Sequence, residues 1–220
     1  RYKKEGIFKD LTTWKQYHSD FENDKISLKD PKGQYSMIAV VPAVFLVNQE
    51  ELGDRKKPES WEDILTPEFE NSVSLPIGDF DLFNAILLNI YKKYGEEGIK
   101  KLGKSLLQSM HPSEMVKSHT KKINKPVVTI MPYFFTKMTK RGGSMVAVWP
   151  KDGAIISPIF MLSKAASEKQ LRPFIDFFSS KPVAEILSHQ GLFPSVHPEI
   201  DNLVEKENPY MWLGWDYIEQ

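Results

Sequence analysis

The sequence contains no cysteine. That excludes disulfides, thiolate metal sites and a cysteine nucleophile, and it leaves the compartment open, since exported and cytosolic bacterial proteins alike can lack the residue. An excess of charge is missing too: 29 basic and 29 acidic side chains cancel to a formal net charge of zero. Without a basic excess, nucleic acid is not an expected partner. No apolar run approaches the ~20 residues that a membrane-spanning helix needs. No Ser-His-Asp order, phosphate loop or His-Glu zinc motif stands out, so nothing points to an enzyme. The chain opens at Arg1 with neither an initiating methionine nor a signal peptide. A processed form, a fragment or the ordered part of a longer protein is expected.

What is present suits a soluble α/β protein. The 220 residues are 41% hydrophobic and 26% charged, enough for one large or two small cores. The organising stretch is Met145 to Lys164. An apolar strand (Val146 to Trp149) runs into Pro150-Lys151-Asp152-Gly153, and a second apolar run follows from Ala154 to Leu162. Proline presets φ and glycine accepts positive φ, so the four residues suit a tight reversal. The chain is expected to cross here between two lobes. Met37 to Val47 is the other candidate crossing, a β-branched apolar run with Pro42 inside it, where a break or an edge is expected.

Between the crossings, Ser60-Trp61-Glu62-Asp63 reads as a capping box with Asp in place of the usual Glu, and its short helix stops before Pro67. Val73 to Leu75 is a brief strand. Ile77-Gly78-Asp79-Phe80-Asp81 then opens an amphipathic helix carrying Leu82, Ile86 and Ile90, which Gly95 can end. A strand running through a glycine loop into a helix start places amides where α/β proteins bind ligands, although Asp79 and Asp81 also suit plain capping. His111-Pro112-Ser113 interrupts the next helical pieces; Ser113 suits an N-cap or an oxyanion contact. His111 and His119 lack the partners of a metal site. Val127 to Met131 is a buried strand followed by Pro132-Tyr133-Phe134-Phe135, whose aromatics suit either a pocket wall or plain core. Thr136 to Arg141 reads as helical. Ser167-Glu168-Lys169-Gln170 reads as a capping box, with Leu171, Phe174, Ile175 and Phe178 as the buried face of its helix. The aromatics Tyr210, Trp212, Trp215 and Tyr217 are expected to pack against a lobe.

Three segments carry a resemblance: Pro58 to Pro67, Val148 to Ala154 with Ser157-Pro158, and Phe174 to Lys181. In this order they resemble the later part of a type 2 periplasmic solute-binding protein of an ABC transporter, most similar to the iron(III)-type branch. The resemblance implies an α/β, two-lobed type 2 fold, each lobe a central mixed sheet with flanking helices. Residues 1–44 and 150–220 would form the first lobe and 45–149 the second, with crossings near 37–48 and 145–157. The family's opening βαβ unit has no counterpart here. An incomplete first lobe would expose apolar surface, and a homodimer is one way to cover it.

The resemblance also implies that a small solute is held by Gly78, Asp79, Phe80, Asp81, His111, Ser113, Tyr133, Phe134 and Asp152. No catalysis is expected and no resident cofactor. Fe3+ is one candidate solute, with Tyr133 as its ligand; iron receptors of the family present adjacent tyrosines, and this sequence has one there. The membrane permease would be the partner, at the outer face of a bacterial membrane, in the periplasm or on a lipid anchor. The alternative is the ligand-sensing effector domain of a transcription regulator of the same fold.

Overall fold

The computed structural model describes residues 6–107, 125–139 and 142–220. The chain forms two compact units, Arg1–Pro42 with Ala154–Gln220, and Ala43–Gly153.

Strand β1 (Tyr35–Asn48) contributes its second half to the Ala43–Gly153 unit. Its run of buried Ala, Val, Phe and Leu is the composition of a strand covered on both faces. There it pairs antiparallel with β3 (Val128–Pro132), from Ala43↔Pro132 to Val47↔Val128, and with β4 (Met145–Val148), from Phe45↔Val148 to Asn48↔Met145. Strand β2 (Val73–Ser74) lies parallel to β3. Contrary to the expected break, β1 runs unbroken through Pro42. The Val40 amide donates to the Pro194 carbonyl, and β3 pairing starts at Ala43, so the missing proline N–H falls between two sets of partners.

Helix α1 (Gln49–Leu52) follows β1, and helix α2 (Phe80–Ser105) packs Leu82, Ile86, Ile90 and Leu102 into the core beside the fully buried Trp61 and Phe45. Gly95, at φ 64 and ψ −158, kinks α2 where the sequence suggested an end, and the helix resumes to Ser105. Thr136 belongs to a 3-10 segment, Tyr133–Met138, that starts earlier than expected and tightens directly off β3.

In the other unit, the first half of β1 neighbours β5 (Ala154–Leu162), which pairs parallel with β6 (Tyr210–Met211). The polar opening is irregular and tied down by side chains: Asp30 accepts the amides of Lys32, Gln34 and Tyr35. The aromatic tail packs as expected. Tyr210 meets Phe21 at 4.8 Å between centroids, and the Trp215 indole donates to the Leu28 carbonyl at 2.9 Å.

Helix α3 (Glu168–Phe178) corrects two readings. Ser167 makes no side-chain cap bond, because it ends a 3-10 turn at φ −111, ψ 21 instead of the extended conformation that a capping serine needs. Phe174 and Phe178 are not buried: they are 61% and 47% exposed, while Ile175 is 3% exposed. Arg172 donates to the Leu11 carbonyl at 2.6 Å, so the helix is rotated to face inward along Arg172 and Ile175. Helix α4 (Lys181–Glu185) and a π-turn (Ile186–Gln190) follow. The last helix is α5 (Trp215–Ile218). Among the described residues, no helix is long and apolar enough to cross a membrane.

Candidate functional site

The pairing within the Ala43–Gly153 unit defines one special edge. Strand β2 is parallel to β3, and β1 is antiparallel to both β3 and β4. The carboxyl ends of β2, β3 and β4 therefore lie along the same edge of that sheet. Three segments leave it: Leu75 to Asp79, Tyr133 to Met138, and Trp149 to Gly153. In open α/β sheets the carboxyl edge is where ligands bind, because loops and helix starts converge there.

On the first segment, Gly78 is exposed, with nothing within 4 Å of the place a Cβ would take. Asp79 caps α2: its Oδ1 accepts the Leu82 amide at 3.2 Å. Asp81 is exposed in the first turn. Phe80 is 73% exposed and Ile77 66%. On the second segment, Tyr133 and Phe134 are half-buried. The Tyr133 ring meets Trp149 of the third segment edge-on, 5.3 Å between centroids at 77°. Phe134 stacks at a tilt on Phe135, 4.4 Å away.

Asp152 occupies a different chemical position from the other expected residues. Both its carboxylate oxygens accept the Trp61 amide at 3.2 Å, and Oδ2 also takes Lys93 Nζ at 3.1 Å. The Trp61 indole N–H donates to the Gly153 carbonyl at 2.8 Å, and the Lys151 amide to the Glu59 carbonyl at 2.8 Å. The Lys151 and Glu59 side chains also pair. Ahead of Trp61, the capping box closes: Asp63 N–H donates to Ser60 Oγ at 3.3 Å, and the Asp63 carboxylate accepts Ser60 N–H at 3.1 Å. Burial works to lower the Lys93 pKa, and the neighbouring Tyr94 and Asp152 overcome it, holding the ammonium above its ordinary value. The Glu59 carboxyl is held below its usual range by the Lys151 ammonium. The Asp152 carboxylate thus clamps the turn to the tryptophan segment and to α2.

The structure brings Gly78, Asp79, Phe80, Asp81, Tyr133, Phe134 and Asp152 to segments leaving one edge. His111 and Ser113 lie outside the described residues. Sequence reasoning did not single out Ile77, Trp149 or Lys93 as site residues. Ile77 and Trp149 lie within the quoted motifs and could have been found there. Lys93 gave no signal, because only the fold brings it across 59 positions to Asp152. Among the described residues, no group of three or more His, Asp or Glu side chains could hold a metal ion. The other unit has a separate cavity of about 370 Å³, lined by His18, Asp20, Lys25, Asp201 and Glu205 among others, which contains none of the expected residues.

A family model described as bacterial extracellular solute-binding protein matches residues 1–220. The chain belongs to this family. No curated protein matches it. Solved structures of other solute-binding proteins share its fold. A periplasmic binding protein, P5PA, is 20% identical with a TM-score of 0.57, over 84% of this chain and 63% of that one. A Bordetella ferric binding protein is 10% identical with a TM-score of 0.61, over 92% of this chain and 67% of that one. An ABC transporter structure from Clostridium perfringens is 19% identical with a TM-score of 0.56, over 97% and 74%. This solute-binding chain therefore spans just under two thirds of the length of the first of these proteins. At these identities the likeness establishes a mixed α/β solute-binding fold and nothing about the solute.

Proposed function

We propose that this chain is the solute-capturing part of an ABC importer receptor, acting outside the cytoplasmic membrane and delivering its solute to the permease. The observation that carries this reading is the match of the solute-binding family over residues 1–220, together with an edge on which three segments converge. Such a receptor performs no chemistry. Its solute favours one conformational population by differential affinity, and that population docks on the permease. On this reading Gly78 to Asp81, Tyr133 and Phe134 are the described residues that meet the solute.

Asp152 serves this site indirectly, by holding the Trp149 to Gly153 turn to Trp61 and Lys93. Ferric iron is one candidate solute, since several proteins of the same fold carry ferric-binding names. The test is uptake: a strain lacking the full-length protein should lose import of one solute, and the purified protein should show a raised Tm with that solute. Unchanged import across a broad panel of ions, amines and organic acids would overturn the reading.

A further inference from the structure

We infer that the solute is an organic molecule with a flat apolar or aromatic portion, gripped through Phe80, Ile77 and the Tyr133–Trp149 pair, and is not a bare ferric ion. This rests on the receptor reading above. The first reason is what the edge's carboxylates already do. A hard trivalent cation needs anionic oxygens with lone pairs free. Asp79 commits one of its two oxygens, Oδ1, to the Leu82 amide. Asp152 spends both oxygens on Trp61 and one of them again on Lys93. Of the three carboxylates expected at the site, Asp81 alone is exposed.

The second reason is what the same segments present. Single exposed apolar residues are ordinary on a protein surface. Here Phe80 and Ile77 are 73% and 66% exposed within four positions of each other. Neither is required there by helix formation, since the cap is Asp79 and the buried stripe begins at Leu82. From the carboxyl ends of β3 and β4, on that same edge, come Tyr133 and Trp149, already set edge-on and so held in orientation. Rigid aromatic faces beside exposed apolar groups recognise another flat apolar face, whose burial releases water at little cost in side-chain entropy.

The test uses the full-length protein and probes of matched charge. Nicotinamide, benzoate and N-methylpyridinium are set against acetamide, acetate and methylammonium, with ferric citrate as the metal arm, by calorimetry and thermal shift. At least one ring-bearing probe should bind and raise Tm while its acyclic counterpart does not. Phe80→Ala and Tyr133→Ala should each weaken that binding by about tenfold. Phe174→Ala, an exposed aromatic in the other unit, should leave it unchanged. Binding of ferric citrate with no ring-bearing probe bound, equal binding of ring and acyclic probes, no binding at all, or equal loss in Phe174→Ala would each overturn the inference. Ring-specific binding without any solute lost from import in the deletion strain would sink the receptor reading and leave the aromatic site standing.

Discussion

Trp61 and Asp152 are 91 positions apart in the chain, and the Trp61 amide sits 3.2 Å from both carboxylate oxygens of Asp152. With the indole bonded to Gly153, this joins the two segments that looked most distinctive in the sequence into one structural unit. The Pro150–Gly153 turn therefore does not make a hairpin of β4 and β5, which do not pair with each other. It is a clamped exit from the sheet edge.

The clamp predicts unequal costs for its members. Asp152→Ala leaves the Trp61 amide without its acceptor and should cost about 1–3 kcal/mol in urea unfolding. Lys93→Ala removes only the ammonium of a pair whose side chains are 43% and 18% exposed, and should cost under about 1 kcal/mol after solvent screening. A larger loss for Lys93→Ala than for Asp152→Ala would contradict this account.

Two glycines of α2 should respond to alanine in opposite directions. A Cβ at Gly98 would lie 2.4 Å from Tyr94 Cβ, whereas a Cβ at Gly103 meets nothing within 4 Å. Gly98→Ala should lose about 1–3 kcal/mol through overpacking. Gly103→Ala should gain about 0.5–1 kcal/mol from helix propensity. Denaturant midpoints of the two variants decide the matter.

The rotation of α3 gives a third expectation. Phe174→Ser should change stability by no more than about 0.5 kcal/mol, since the ring is already in solvent. Ile175→Ala should cost about 2–5 kcal/mol, as a buried isoleucine does. Equal costs would mean that the helix faces the other way.

His197 makes part of the stability depend on pH. Burial lowers its pKa below the ordinary 6.5, with Glu199 opposing and Lys181 adding to the shift. Its ring is set against Trp14 at 5.5 Å, and its Nδ1 accepts the Glu199 amide at 3.1 Å, which requires that nitrogen to be unprotonated. The folded state thus binds fewer protons than the unfolded state as pH falls past 6.5, so the contribution is held above that pH and lost below it. Urea midpoints should drop between pH 7.5 and pH 5, and His197→Gln should flatten that dependence. An identical pH profile in the variant would show that His197 is not the group responsible.

Local chemistry alone settled much of this protein. A capping aspartate at Asp79 or Asp81, the Ser60–Asp63 box and the stripe from Leu82 to Ile90 all follow from neighbours a few residues apart, which any sequence displays; that Asp79 is the one that caps, and that Gly95 kinks α2 without ending it, do not. The long apolar run of β1 was equally plain, because periodicity and β-branching report burial directly. Tertiary structure decided the rest. Whether Pro42 breaks a strand depends on where its partners change over. Whether Phe174 or Ile175 faces inward depends on Arg172 reaching Leu11. Whether Asp152 is available to a ligand depends on Trp61 and Lys93 arriving from far along the chain. In each case the deciding partner is distant in sequence, and only packing brings it close enough to choose between two locally equivalent outcomes.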